Sequence, residues 1–153
     1  MIIAGTGHRP NKLGGYSPAA HAHRLELATN ELKRLKPDIV ISGMALGWDQ
    51  ALAQAAANLE IKFWAYLPFL GQDAVWPAES RIRWHHLCAL AEKTRIVSPG
   101  GYSTAAMQAR NQAMVDDCDQ VLALWDGTSG GTANCVRYAK TVNKPIINCW
   151  EHF

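Results

Sequence analysis

A glycine-rich turn between an apolar run and a predicted helix start is the feature that most constrains the fold of this chain. The run from Asp119 to Trp125 is typical of a buried strand, and it is followed by Asp126-Gly127-Thr128-Ser129-Gly130-Gly131-Thr132. A turn of this kind lets backbone N–H groups approach an anion, and the N-terminus of the following helix adds a partial positive charge. Phosphate is the group that this arrangement favours.

The same succession of strand, glycine turn and helix occurs earlier in the chain. Apolar runs predict six strands, at 2–6, 38–42, 61–67, 94–98, 119–125 and 145–149. Helices are predicted between them, from Ser17-Pro18 to Pro37 and over 48–59, 81–92, 104–117 and 132–142. The segment 68–80 has no clear period and is predicted to be a long loop, a kind of segment that is often functional.

Alternation of strands and helices predicts an α/β fold, a three-layer Rossmann-like parallel sheet with helices on both faces. We expect the strand order 3-2-1-4-5-6, which reverses between strands one and four. Ligands of such sheets bind at the carboxyl ends of the strands, where the order reverses. The chain has no linker or internal repeat, so residues 1–153 are predicted to form a single nucleotide-binding domain.

Composition narrows the class of protein. Hydrophobic residues make up 48% of the 153 residues, which indicates a globular chain. The apolar runs are too short to span a bilayer and the first residues carry no export signal, so we expect a cytoplasmic protein without a membrane partner. The net charge of +2 includes no basic block, which argues against nucleic acid as a partner.

Cysteine and histidine residues give no metal-binding pattern. The four cysteines are scattered, which is typical of reduced and mostly buried thiols in a cytosolic protein. His85 and His86 are adjacent on a predicted helix, where their side chains diverge. We therefore predict no metal site and no required cofactor, and suspect only a nucleotide-type ligand.

Residues that follow the strands are the candidates for binding this ligand, because the ends of parallel strands meet at one edge of the sheet. After strand one these are Gly7, His8 and Arg9, and after strand two they are Ser42, Gly43, Met44, Gly47 and Asp49. After strand five they are Asp126, Gly127, Ser129, Gly130, Gly131 and Thr132.

Two of these side chains have both a structural and a functional interpretation. Arg9 is either a surface residue in a proline turn or a phosphate ligand, a role that suits the guanidinium fork. Asp49 either caps its helix or accepts hydrogen bonds from ribose hydroxyls.

The helix predicted over 104–117 carries a further pair of candidates. Met107, Arg110, Asn111 and Met114 share one face by helical spacing, and that face should be buried. A buried arginine needs a partner. The partner is either an internal carboxylate, such as Asp116 or Asp126, or a ligand in a cleft onto which this face opens.

These motifs together resemble the SLOG superfamily, the Rossmann-like group that includes the DNA-processing protein DprA and the LOG phosphoribohydrolases, and within it the YspA/YpsA-like branch. The matching segments are 6–10, 42–49, 110–116 and 126–132 followed by Tyr138-Ala139, so the resemblance covers most of the chain. It implies a three-layer fold and a nucleotide or nucleotide-derived ligand.

The sequence departs from the LOG pattern at one position that matters for catalysis. Aligned on Gly131-Thr132, the glutamate of the LOG motif falls at Cys135, next to Asn134. N-glycosidic cleavage develops positive charge on the ribose, which a nearby carboxylate stabilises. Asp126, Asp49 and Glu79 are candidates for replacing that carboxylate, and Arg110 is a further catalytic candidate.

We therefore expect a protein that senses or sequesters a nucleotide or ADP-ribose-like ligand, with phosphate at Gly130, Gly131 and Thr132. Arg9 and Arg110 would supply the counter-charges, and Asp49 or Asp126 would accept the sugar hydroxyls. The alternative is a LOG-like nucleotide phosphoribohydrolase or another nucleoside-processing enzyme. A homodimer or higher homo-oligomer is also expected for this fold.

Overall fold

A computed structural model describes residues 1–153, which form a six-stranded sheet and five helices. The strands are β1 Ile2–Gly7, β2 Ile39–Ser42, β3 Lys62–Leu67, β4 Lys93–Ile96, β5 Gln120–Leu124 and β6 Ile146–Asn148. The helices are α1 Pro18–Leu35, α2 Trp48–Asn58, α3 Ala78–Leu90, α4 Thr104–Asp117 and α5 Gly131–Thr141. Two one-turn 3-10 helices lie at Pro10–Lys12 and Trp150–His152.

The sheet is entirely parallel, as predicted, and its strand order is β4-β3-β2-β1-β5-β6. The predicted α/β class with three layers is confirmed, and so are the neighbours of β2 and the pairing of β5 with β6. The fourth strand differs, because it lies at the edge beside β3 and not between β1 and β5. All four residues of β4 are exposed, and two of them are Lys93 and Arg95, which suit an edge and not a doubly covered centre.

Alternate residues of the central strands pack on opposite faces of the sheet. Ile3 of β1 and Leu122 of β5 belong to a core that the sheet shares with α1, α2 and α3. Ala4 and Val121 belong to a second core, which the sheet shares with α4 and α5. This double burial explains why the central strands are apolar on both faces.

Local signals set most element boundaries. Ser17 accepts a hydrogen bond from Ala20 N and caps α1, and Lys36, in the left-handed conformation, ends it. Helix α3 begins at Ala78, three residues before the predicted start, so the preceding loop is shorter than expected. No helix of the chain is both long and apolar enough to cross a membrane.

Strands β1 and β5 are neighbours in the sheet. From β1 the chain adds β2, β3 and β4 towards one edge, and it then adds β5 and β6 towards the other. The connections leaving β1 and β5 therefore run to opposite faces of the sheet and leave a crevice between them. The crevice predicted between strands one and four thus lies between β1 and β5.

Candidate functional site

A cavity of about 280 Å³ occupies the crevice at the carboxyl ends of β1 and β5, and we call it the rim cavity. Four segments line it: the end of β1 with the turn after it, the start of α2, one face of α4 and the turn that opens α5. The lining residues are Gly5, Thr6, Gly7, His8, Arg9, Asn11, Lys12, Ala45, Asp49, Met107, Arg110, Asn111, Met114, Ser129, Gly130, Gly131 and Thr132.

The N-terminus of α5 opens into the rim cavity without a side-chain cap. Gly130 is the N-cap residue, and no acidic residue follows in the first turn. Ser17 and Ser103 cap α1 and α4, by contrast, each through a hydroxyl that accepts a backbone N–H. The first N–H groups of a helix have no partner within it, so those of α5 are available to an anion in the cavity.

Three cationic side chains share the cavity with this helix end. Arg110 is buried, and it donates from Nη1 to Gly43 O over 2.5 Å and from Nε to Asn111 Oδ1 over 3.0 Å. Burial lowers its pKa, although an arginine remains charged at neutral pH. Lys12 donates to Thr128 Oγ1. Arg9 is exposed, and its guanidinium makes no hydrogen bond or ion pair with the rest of the chain.

Asp49 is the only carboxylate that lines the rim cavity. Burial raises its pKa, while the positive charge of Arg110 and a hydrogen bond from Ala45 N, 3.2 Å from Oδ2, act in the opposite direction. One alternative for Arg110 was an internal carboxylate partner, such as Asp116 or Asp126, and the other was a ligand in the cleft. The negative charge that acts on Arg110 is that of Asp49. Asp116 accepts a hydrogen bond from Tyr138 Oη, and Asp126 accepts hydrogen bonds from Thr128.

Asp126 stabilises the turn before α5 and does not line the cavity. Its Oδ1 accepts hydrogen bonds from Thr128 N over 3.0 Å and from Thr128 Oγ1 over 2.5 Å, and it lies 2.7 Å from His8 Nε2. The bonds from Thr128 hold the pKa of Asp126 well below its usual range, with a smaller contribution from His8. The carboxylate of Asp126 therefore stabilises the conformation of the turn through Oδ1.

Ten of the predicted ligand-binding residues lie around the rim cavity and six do not. The ten are Gly7, His8, Arg9, Asp49, Arg110, Asn111, Ser129, Gly130, Gly131 and Thr132. The six outside the lining are Ser42, Gly43, Met44, Gly47, Asp126 and Gly127. Apart from Ala45, the turn after β2 lies outside the lining, and Ser42 Oγ in this turn donates to Asp49 O and accepts from Met44 N.

Seven lining residues were not among the predicted ones. They are Gly5, Thr6, Asn11, Lys12, Ala45, Met107 and Met114. Helical spacing had already placed the two methionines on the face of Arg110, so this signal was present in the sequence. Nothing in the sequence marked Lys12, which the short 3-10 helix after β1 carries to the turn before α5.

At the position of the LOG glutamate this chain has Cys135, which is not an acidic residue. Cys135 is buried beside Thr6, and burial raises its pKa to about 11, so the thiol is uncharged at neutral pH. Asn134 accepts a hydrogen bond from Arg137 Nη1. Glu79 lies at the start of α3 and lines a different cavity together with Arg83, outside the rim cavity.

Comparison with known proteins identifies a family and a set of related folds. The model of the YspA SLOG family matches residues 3–145. The SPbeta prophage-derived protein YoqJ of Bacillus subtilis (strain 168) is 34% identical over 116 residues, which are 65% of this chain and 68% of that protein.

Two solved structures share the fold at low sequence identity. DNA processing protein A from Helicobacter pylori, reported for its single-stranded DNA binding mode, is 21% identical with a TM-score of 0.67, over 95% of this chain and 63% of that one. This chain thus spans less than two thirds of that protein. A molybdenum cofactor binding protein from Rippkaea orientalis is 20% identical with a TM-score of 0.61, over 96% and 74% of the two chains.

These comparisons correct one expectation from the sequence. The weak net charge and the absence of a basic block argued against nucleic acid as a partner, and that argument was wrong. A protein with the same fold over 95% of this chain binds single-stranded DNA. Net charge averages over the whole surface and does not report local groups, such as the three cations around the rim cavity.

Proposed function

The chain belongs to the YspA SLOG family, and on that premise we propose that it binds a nucleotide or an ADP-ribose-like ligand whose phosphate occupies the rim cavity. The proposed role is sensing or sequestering the ligand, without turnover. The observation that carries the proposal is the uncapped N-terminus of α5, which opens into the same cavity as Arg9, Lys12 and Arg110.

The chemistry of the cavity supports phosphate over other anions. Gly130 and Gly131 add no side chain between the backbone N–H groups and a ligand, so an anion with several oxygens can approach the helix end. The guanidinium of Arg9 has two parallel N–H donors without a partner, which match two phosphate oxygens. Arg110 adds a buried charge whose position is fixed by Gly43 O.

Asp49 supports a sugar next to the phosphate. Its carboxylate lines the cavity and accepts only one hydrogen bond from the chain, from Ala45 N. A carboxylate accepts several hydrogen bonds, and ribose hydroxyls are donors of the required kind. We therefore assign the sugar hydroxyls to Asp49, and not to Asp126, which does not line the cavity and whose Oδ1 accepts two hydrogen bonds within its own turn.

Isothermal titration calorimetry with inorganic phosphate, AMP, ADP and ADP-ribose tests the proposal. Arg9→Gln should weaken binding roughly ten- to a hundredfold, as expected for the loss of a charge-assisted hydrogen bond. Arg137→Gln removes the same charge from an exposed position on α5 outside the cavity and should change affinity by less than about twofold. Absence of binding at millimolar ligand would remove the proposal.

A short single-stranded DNA belongs in the same titration series. The Helicobacter pylori protein with this fold binds such DNA, and a terminal nucleotide presents a phosphate on a 2′-deoxyribose. A DNA that binds more tightly than every mononucleotide, with a strong dependence on salt, would identify nucleic acid as the ligand.

Hydrolysis of an N-glycosidic bond is a second candidate function, and Asp49 is the residue that favours it. It is the one carboxylate in the cavity, and its raised pKa suits a group that exchanges protons near a reacting sugar. Chromatographic detection of free base released from a nucleoside monophosphate tests this activity. Release that is lost in Asp49→Asn, with ligand binding retained, would establish an enzyme.

A further inference from the structure

A second cavity, of about 630 Å³, lies beside the rim cavity, and we call it the loop cavity. The segment 69–76, between β3 and α3, supplies most of its wall, and Gly101 and Tyr102 from the segment before α4 line it together with Arg9 and Met107. Seven of its 11 lining residues are hydrophobic, and three of these, Phe69, Trp76 and Tyr102, are aromatic. The loop cavity therefore suits a planar apolar group, in contrast to the charged rim cavity.

Several apolar side chains of the loop cavity are exposed. Val75 is 92% exposed, Leu70 75% and Tyr102 74%. Single exposed apolar residues are common on protein surfaces, but a group of them around one concave site marks a place where something binds.

The two cavities meet at a pair of shared residues. Arg9 and Met107 line both of them. The unpartnered guanidinium of Arg9 thus lies between a site for an anion and a site for an apolar ring. A ligand that joins these two chemical groups would contact both cavities at once and would provide the partner that Arg9 lacks.

Hydrogen bonds connect the wall of the loop cavity with the floor of the rim cavity. Gly43 O accepts from Gln72 Nε2 over 3.0 Å and also from Arg110 Nη1 over 2.5 Å. Gln72 is buried, and its Oε1 accepts from Trp84 Nε1 over 3.0 Å. One carbonyl group therefore holds both Arg110 and the loop, and this connects the walls of the two cavities.

We infer that the loop cavity binds the aromatic base of the ligand whose phosphate occupies the rim cavity. This inference rests on the proposed function and adds the site of the base, which a sugar phosphate would leave empty. The base packs against Tyr102 and Trp76, the sugar passes Arg9 and Met107, and the phosphate reaches the N-terminus of α5. Stacking of a base on an aromatic side chain accounts for roughly a ten- to hundredfold gain in affinity.

The test compares AMP with ribose 5-phosphate, which has the same sugar and phosphate but no base. Calorimetry should give a dissociation constant at least about tenfold lower for AMP. Tyr102→Ala should bring the two constants to within about threefold and leave that of ribose 5-phosphate unchanged, while Tyr102→Phe should restore the difference. Ile82→Ala removes a side chain that is 70% exposed outside both cavities and should change neither constant.

Tryptophan fluorescence gives an independent readout, because Trp76 is the only tryptophan that lines either cavity. AMP should change the emission of the wild-type protein, and ribose 5-phosphate should not. The change should disappear in Trp76→Phe.

Equal affinity for AMP and ribose 5-phosphate in the wild-type protein would overturn the inference and leave the proposed function standing. A preference for AMP that Tyr102→Ala does not reduce would also overturn it. If Tyr102→Ala instead halves the molecular mass measured by light scattering, with the AMP preference intact, the loop cavity is covered by a second copy of the chain and the inference is wrong. Failure of every phosphate compound to bind would refute the proposed function as well.

Discussion

Two glycine turns of this protein have the same local pattern and different surroundings. The first, which contains Gly43 and Gly47, joins β2 to α2, and the second, which contains Gly127 and Gly130, joins β5 to α5. Both follow a parallel strand, and the N-cap residue of each helix is a glycine, which provides no side-chain hydrogen bond. The two turns differ in what occupies the space beside the glycines.

Protein atoms fill the space beside the first turn. A Cβ atom added at Gly47 would lie 2.5 Å from His8 O, and one added at Gly43 would lie 2.5 Å from Arg110 Nη1. The uncapped helix also finds backbone partners, since Trp48 N donates to His8 O over 3.2 Å. This turn is a packed part of the core, and it positions Asp49 and Arg110.

The space beside the second turn is open. A Cβ atom at Gly127, Gly130 or Gly131 would meet nothing within 4 Å. A glycine turn before an uncapped helix has room for a ligand only where the surrounding chain leaves space beside it, and of these two turns only the second has that space.

Gly47→Ala and Gly127→Ala should separate backbone strain from steric overlap. The two glycines have nearly equal φ angles, +92° and +91°, so alanine meets similar strain at both, about 1–2 kcal/mol. Only at Gly47 does the new Cβ also overlap a backbone oxygen. We expect Gly47→Ala to lower the free energy of unfolding by about 3 kcal/mol or more and Gly127→Ala by about half as much. Urea denaturation measures both values, and equal losses would contradict the distinction between the turns.

Gly43→Ala should destabilise the protein less than Gly47→Ala and should also weaken phosphate binding. The new Cβ would lie 2.5 Å from Nη1 and 2.8 Å from Cζ of Arg110, a side chain that can shift, unlike the backbone at His8. We expect a loss of about 1–3 kcal/mol in unfolding free energy. The displaced guanidinium should raise the dissociation constant for inorganic phosphate, measured by calorimetry. An unchanged phosphate affinity in a folded variant would show that Arg110 does not contribute to the anion site.

The sequence predicted the open turn more completely than the packed one. Glycine and strand patterns were sufficient to place Gly130, Gly131 and Arg110 at one edge of the sheet, because a parallel α/β sheet fixes which loops meet. The roles of Gly43 and Gly47 depend on Arg110 and His8, which are remote in sequence. No local pattern encodes contacts of that kind.

The position of β4 and the role of Asp126 were also beyond local reasoning. Strand order depends on which edge a crossover reaches, and the polar residues of β4, Lys93 and Arg95, gave the available hint that it lies at an edge. Asp126 was a candidate for the sugar hydroxyls because it follows a strand. Its Oδ1 accepts two hydrogen bonds from Thr128 within the turn, and no sequence pattern predicts these bonds.

Each turn is associated with one aspartate, and the pKa values of the two should shift in opposite directions. Burial raises the pKa of Asp49, and hydrogen bonds from Thr128 lower that of Asp126. A titration followed by NMR of the carboxyl carbons should give a midpoint above the usual aspartate value for Asp49 and below it for Asp126. Asp49→Asn and Asp126→Asn assign the two signals. Midpoints at the ordinary aspartate pKa for both residues would contradict the effect of burial at Asp49 and of the Thr128 hydrogen bonds at Asp126.

The same shifts set the pH dependence of stability. A lowered pKa in the folded state means that Asp126 stabilises the protein above its ordinary pKa and loses this effect as pH falls towards the folded-state pKa. A raised pKa means the reverse for Asp49, whose contribution is present at low pH and is lost as pH rises through its folded-state pKa. The stability difference between wild type and Asp126→Asn should therefore shrink on acidification from pH 6 to below about pH 3, as measured by denaturation at each pH. A difference that grows on acidification would reverse this assignment.

Gly131→Ala should have the smallest effect on stability and a clear effect on binding. The backbone of Gly131 has no positive φ and a Cβ there meets nothing, so alanine adds no strain. Since alanine favours helices over glycine, we expect the free energy of unfolding to stay within about 0.5 kcal/mol of the wild type or to rise slightly. Side chains of a helix lean towards its N-terminus, so the new methyl group would enter the space beside the first N–H groups of α5. Calorimetry should then show weaker phosphate binding in a fully stable protein, whereas unchanged affinity would mean that the anion does not reach this helix end.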